Sequence, residues 1–348
     1  MITNYDTKHL ISTLLLIFTQ TTFLFSRSVI VTPAFSSEQI NKVLETCTAS
    51  DTVIFSTGHY YVNNLLILKP LILIGENFPQ LDGNDKFQIM SIEADDVRVE
   101  GFEFLNSGRS DMNDISAVRI MDAKRVHILN NHFENIFFGI FCNNASNCYI
   151  TGNKIKSISV KEVDSGNGIH CWKSDSIYIS KNYVSGQRDG IYFEFVTNSV
   201  IEDNVSEKNI RYGLHFMFSN SNIYSGNTFR NNGAGVAVMF SHHVTMIGNT
   251  FSKNIGGGSY GILMKEISDS RIEKNHFIGN TVGIYMEGAN RIFMLKNSFQ
   301  SNGWAFRIQA SCSEITVEKN NFTANTFDVA TNGTLMLNKF SNNYWDKY

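Results

Sequence analysis

Two histidines, two methionines, a tryptophan and a glutamate recur at one pair of positions in this sequence. They read His170/Trp172, Tyr192/Glu194, His215/Met217 and Ala237/Met239, the second and fourth residues after Gly168, Gly190, Gly213 and Gly235. Thioether and imidazole together suit soft Cu(I) better than Ca²⁺ or Mg²⁺. His242 and His243 follow on the next bend, so the candidate copper ligands are His215, Met217, Met239, His170 and His243. Without a metal, the same row is an apolar surface that a loop or a partner covers. Arg188-Asp189 and Arg211-Tyr212 precede two of the glycines. Arg and Asp placed so form a structural ion pair, or grip an anion or a partner's carboxylate. Trp172, Tyr192, Glu194, Arg188 and Arg211 are therefore the candidate partner surface. Glu194, Tyr192, His215 and Arg211 could also be assembled for proton transfer. No clustered aspartates for Ca²⁺ accompany them, and no catalytic residue is assigned.

These residues lie on a repeat. An Asn followed two residues later by an apolar residue recurs at Asn131, Asn153, Asn182, Asn227, Asn249, Asn275, Asn297 and Asn320, with Asn204 in series. The steps are 22, 29, 22, 23, 22, 26, 22 and 23 residues. A second beat of Gly plus an apolar residue follows, as at Gly190-Ile191 and Gly235-Val236. Such a period, with short alternating strands, marks a parallel β-helix. Each coil is too thin to bury its own apolar face, and stacking buries a continuous core. The Asn belong at turns, where they tolerate a left-handed backbone and bond along the stack. Side chains alternate along a strand. Ile191/Phe193, Leu214/Phe216 and Val236/Val238 therefore point inward, and the second and fourth positions outward. Cys142 and Cys171 share an inward position and read as stacked core thiols rather than a disulfide. The longer coils at 157–167 and 255–260, with the loop 107–116, insert at one turn, and insertions on one side of a solenoid map to its binding side.

The ends fit the same reading. Ser36 and Gln39 have capping-box spacing ahead of Ile40, Val43 and Leu44, which predicts a short helix over 36–46 covering the first coil. Residues 10–25 are apolar behind Lys8 and His9, and residues 1–30 read as a secretory leader with the β-helix over 31–348. The solenoid proper is expected from about residue 50. The chain of 348 residues is 43% hydrophobic with a net charge of −3. That excludes a mostly disordered chain and argues against a nucleic-acid partner. The five cysteines form neither a zinc pattern nor a disulfide framework.

The segments GQRDGIYFEF (186–195), RYGLHFMFSNSN (211–222), GVAVMFSHHVTMIGNTF (235–251), SYGILMKEISDSRIEKNHF (259–277) and NTVGIYMEGANR (280–291) together resemble the NosD family. The family comprises periplasmic accessory proteins for the maturation of nitrous oxide reductase. The resemblance implies a right-handed parallel β-helix in the periplasm. It implies a copper-handling scaffold rather than an enzyme. The implied partners are the membrane and ATPase subunits of an ABC transporter, a copper-donating lipoprotein and the reductase itself. The family continues beyond the NYWDKY terminus, so the resemblance also implies a chain shortened at its C-terminal end. It supplies no ligand set, and the copper ligands above rest on strand parity. The Asn beat by itself also fits carbohydrate-binding or carbohydrate-active β-helices of the uronate lyase or C5-epimerase type.

Overall fold

The computed structural model describes residues 26–110, 114–158, 161–333 and 337–348. The leader expected over residues 1–30 lies outside them as far as residue 25. Among the described residues the chain winds as a right-handed solenoid with three parallel sheets of 14, 13 and 12 strands. The first sheet runs from Ser28–Val31 to Lys339–Ser341, the second from His59–Tyr61 to Tyr344–Trp345, and the third from Leu65–Ile67 to Phe327–Thr331.

Strands of two to six residues form here because the turns between them are stabilised by their neighbours. Asn131, Asn153, Asn182, Asn204, Asn227, Asn249, Asn275, Asn297 and Asn320 stack as one buried ladder. Each amide donates to the next side-chain oxygen and to a backbone carbonyl of the preceding coil; Asn249 does so at 3.0 and 2.9 Å. A second ladder, Asn209, Asn232, Asn254, Asn280, Asn302 and Asn325, supports the turn into the third sheet. The apolar residue of the Asn beat fills the interior. Phe229, Phe251, Phe277, Phe299, Phe322 and Trp345 form one stack, with ring centroids 4.0–5.5 Å apart. Cys142 and Cys171 are register partners, buried and free, as the parity reading expects.

The helix Ser37–Thr46, α1, has the expected capping box. Ser36 Oγ accepts from Gln39 N, and Gln39 Oε1 accepts from Ser36 N. Ile40 and Leu44 are buried against the first coil. One expectation needs correcting: the solenoid does not start near residue 50. Ser28–Val31 precedes the helix and pairs in parallel with Thr52–Phe55. Arg27 anchors it through an ion pair of 2.9 Å with the buried Asp51 carboxylate. The strand is hidden in the sequence because its apolar run follows closely on the apolar residues 10–25.

Two of the three inserts, those carrying Arg109 and Asp164, meet on the entry side of the third sheet. Arg109 Nη1 donates to the carbonyl of Asp164 at 2.9 Å, joining the two. Arg211 Nη1 holds Glu162, in the 3-10 turn Glu162–Asp164, at 2.9 Å.

Candidate functional site

Register decides which outward residues meet. In the third sheet the fourth positions form an unbroken row, Trp172, Glu194, Met217, Met239, Lys265, Glu287. Met217 and Met239 are direct register partners, about one strand spacing of 4.8 Å apart. Glu194 separates Trp172 from Met217, and the Lys173 ammonium lies 4.2 Å from the centre of the Trp172 ring. The second positions form a parallel row, Phe141, His170, Tyr192, His215, Ala237.

The two rows differ in burial. Trp172, Glu194, Met217 and Met239 are half-buried. His215 is only 4% exposed, although strand parity points it outward. Tyr192 and Tyr212 close over it, with ring centroids at 4.8 and 4.7 Å. Its Nδ1 lies 3.4 Å from Asp189 Oδ2. That carboxylate is itself buried, accepts from Tyr212 N at 3.2 Å and faces Arg211 Nε at 3.7 Å. Carboxylates only accept, so Nδ1 carries a proton, which leaves Nε2 as the nitrogen open to a ligand. His215 Nε2 is buried with no hydrogen-bond partner. A carboxylate holding one ring nitrogen while the other is free is the usual support for a metal-ligating histidine.

His170 is arranged in the opposite sense. Its Nδ1 faces the Asn167 Nδ2 amide at 3.4 Å and so accepts, which puts the proton on Nε2. Burial and the nearby Arg188 cation push this imidazole down to about 3, so it stays neutral. His170 Nε2 and Arg188 Nε are buried without partners. Tyr192 stands between the two histidines, its ring 4.7 Å from His170 and 4.8 Å from His215, so one ion cannot join both. Burial and the Glu194 carboxylate hold the Tyr192 phenol well above its ordinary range, and its hydroxyl donates to Glu194 at 3.4 Å. A phenol so held is a poor proton acceptor at neutral pH.

His243 is not brought to the methionines by any contact. It is exposed, in the turn between the third and first sheets, with its ring against His242 at 4.8 Å. Among the described residues no group of three His, Cys, Asp or Glu side chains could hold a metal.

Sequence reasoning missed one feature. Phe195, Phe218 and Phe240 follow directly on Glu194, Met217 and Met239 and take left-handed backbone at φ 55, 49 and 51°. They are 46, 41 and 39% exposed, and their rings stack at 5.2 and 5.1 Å. Asn144 and Gly288 occupy the same turn elsewhere, at φ 53 and 63°. A bulky side chain is rarely tolerated there. The signal was legible as Phe at the fifth residue after three successive glycines.

Comparison with known proteins places this geometry. Residues 79–184 match the profile of a right-handed β-helix region. A probable ABC transporter binding protein NosD from Pseudomonas aeruginosa is 29% identical over 133 residues, 37% of this chain and 31% of that protein. Its counterpart from Stutzerimonas stutzeri is 32% identical over 37% of this chain and 30% of its own length. The chain thus spans under a third of these curated relatives. Among solved structures, the A-module of the Azotobacter vinelandii mannuronan C-5 epimerase AlgE4 superposes with a TM-score of 0.58 at 14% identity, covering 92% of this chain and 95% of its own, a likeness of fold alone. The profile described as periplasmic copper-binding protein (NosD) matches residues 156–348, more than half of the chain and all of the methionine row, and the chain belongs to that family.

Proposed function

We propose that this protein is a periplasmic accessory scaffold that carries Cu(I) transiently on Met217, Met239 and His215. In this reading it works with the membrane and ATPase subunits of an ABC transporter. A copper-donating lipoprotein loads it, and it serves copper-site assembly in nitrous oxide reductase. The observation that carries the reading is the register pair Met217/Met239 beside a histidine whose Nε2 is buried and unpartnered. Two thioethers and one neutral imidazole form a soft donor set suited to Cu(I). Asp189, 3.4 Å behind the ring, adds negative charge on the side away from Nε2. Thioethers need no deprotonation, so binding outlasts mild acid better than a thiolate site would. His170 and His243 fall outside this set, the first by its proton on Nε2 and the second by its place in the turn. Trp172, with the ridge of Phe195, Phe218 and Phe240, supplies the apolar ground on which a protein partner docks.

The test is the double variant Met217→Leu/Met239→Leu, which keeps volume and apolarity, so stability shifts by under about 1.5 kcal/mol. Cu(I) affinity, measured by competition with a colorimetric chelator, is expected to fall at least about tenfold, near 1.4 kcal/mol. Unchanged affinity together with normal copper loading of the reductase would sink the assignment. In this reading the protein turns over no uronate polymer, and a turnover that Glu194→Gln abolishes would establish an enzyme instead.

A further inference from the structure

The turn that carries the phenylalanines has an internal symmetry. In successive coils its exposed, left-handed residue is Lys173, Phe195, Phe218, Phe240 and Glu266. The strands that lead into these residues are register partners from one coil to the next. The ring centroids lie 5.2 Å apart before Phe218 and 5.1 Å apart after it. Lys173 and Glu266 therefore stand equally far from Phe218, two coils or roughly 10 Å on either side. Asn144 and Gly288, the next residues outward along the turn, carry no charge. The row reads cation, three rings, anion, and its centre is Phe218.

Neither charge is used within the chain. The Lys173 ammonium rests over the Trp172 ring, and among the described residues neither Lys173 nor Glu266 makes an ion pair, whereas the neighbouring Lys265 and Glu287 pair at 3.8 Å. Stacking covers the faces of the rings against one another and leaves their edges to the outside. An exposed apolar strip with polar ends has the form of an interface.

Whatever covers this strip must bring an anion to Lys173, a cation to Glu266 and apolar groups between them. The chain itself carries that pattern in reverse order. A second copy, turned end over end about a two-fold axis through Phe218, sets its Glu266 on Lys173, its Phe240 on Phe195 and its Phe218 on Phe218. The same axis repeats each contact in the opposite sense. A copy in the parallel orientation instead sets Lys173 on Lys173 and Glu266 on Glu266, and like charges so placed repel. In the adjoining row the antiparallel copy brings Met217 to Met217, Lys265 to Trp172 and Met239 to Glu194, whose carboxylate keeps the Tyr192 hydroxyl.

We propose that the ridge Phe195, Phe218 and Phe240 is the contact through which two copies of this protein pair antiparallel, with Lys173 of each on Glu266 of the other. The inference rests on the reading of the ridge as docking ground and not on the copper site. The two rows supply ten residues from each copy, Trp172 to Glu266. A standard interface has roughly 20–30 a side, so the pair is weak and exchangeable, with a dissociation constant on the order of 10–100 μM.

Sedimentation equilibrium of the whole chain, up to about 500 μM, tests this against that expected constant. Lys173→Glu and Glu266→Lys each turn both symmetry-related attractions into repulsions, and each is expected to weaken association at least about fivefold. The double variant Lys173→Glu/Glu266→Lys restores both pairs in the swapped sense and is expected to return to within about twofold of the parent. Only the antiparallel arrangement allows that rescue. Phe218→Ser sits on the axis and is expected to weaken association at least about tenfold. The position is exposed and left-handed, so the smaller residue leaves the coil intact. Met217→Leu/Met239→Leu is expected to pair as the parent does, and Lys173→Glu to bind Cu(I) as the parent does, so failure of the pairing and failure of the copper reading are seen separately. A parent that stays monomeric throughout would assign the ridge to a different protein and overturn the proposal. Single reversals that pair as well as the parent, or a double variant as weak as the singles, would overturn it too.

Discussion

At the residue scale, His170 makes the stability of the fold depend on pH. Burial is the main cause of its low pKa, with Arg188 and the neighbouring His215 in the same direction and Asp189 opposing. Folded, the ring titrates at about 3; unfolded, it titrates near its ordinary 6.5. Between those values the unfolded chain holds a proton that the folded chain does not, so stability rises with pH. It is complete above about pH 6.5 and is lost progressively as pH falls toward 3. At pH 5 the loss is at most about 2 kcal/mol, less once partial exposure of the ring is discounted. Asp51 and Asp269 are also held below their ordinary range, by backbone amides and by Arg291 respectively, but they act below pH 4. Urea melts between pH 7 and 5 read the buried histidines, since His127 and His132 are also held below their ordinary range by burial and act in the same direction. His170→Gln is expected to flatten the decline there, and a variant with the same pH slope as the parent shows that the ring is not the cause. Parity placed His170 and His215 on the outer face, but not their burial or their opposite tautomers. Those depend on Tyr192, Tyr212, Asn167 and Asp189, which come from different coils.

At the element scale, the turns are the fold's fixed points. Asn249 donates to Tyr224 O and Asn275 Oδ1 and accepts from Asn227 N and Nδ2, all at 2.9–3.0 Å in a fully buried position. Asn249→Ala leaves a carbonyl and an amide without partners, and each orphan costs about 1–3 kcal/mol. A loss of about 3–5 kcal/mol is expected by urea denaturation; a loss under 1 kcal/mol would mean that water replaces the ladder. This ladder was legible because Asn recurs with an apolar residue two places on. The second ladder, Asn209 to Asn325, was not, since its partners follow no fixed apolar neighbour and its first position is Gln187, buried but not amide-paired in the same way. The exposed Phe195, Phe218 and Phe240 escaped for another reason. Alternation says which face a strand residue takes, but these three lie one residue past the strand, where the left-handed turn resets the parity.

At the scale of the whole molecule, a solenoid of parallel strands has two open ends, and each is a template for another strand. The N-terminal end shows how this chain closes one. Leu65–Ile67 is the outermost strand of the third sheet. Where a further strand would pair, α1 presents side chains instead. Asn41 Oδ1 accepts from Leu66 N at 2.9 Å and its Nδ2 donates to Asn64 O at 3.1 Å. Ser37 Oγ accepts from Asn63 N at 2.9 Å. Ile40 and Leu44 cover the interior behind them. The helix is thus a plug for the core and a substitute strand at once, and the two roles separate by mutation. Ile40→Asp buries a carboxylate against an apolar coil and is expected to destabilise the end by about 3 kcal/mol or more. Asn41→Ala leaves the core covered but frees the Leu66 amide and the Asn64 carbonyl. It is expected to cost only about 1–2 kcal/mol while making the protein associate through the exposed strand edge. Light scattering during size-exclusion chromatography reads the association, and urea melts read the stability. If Asn41→Ala stays monomeric at the concentration where Ile40→Asp aggregates, the helix acts by covering the core, and its hydrogen bonds to the edge strand have no protective role.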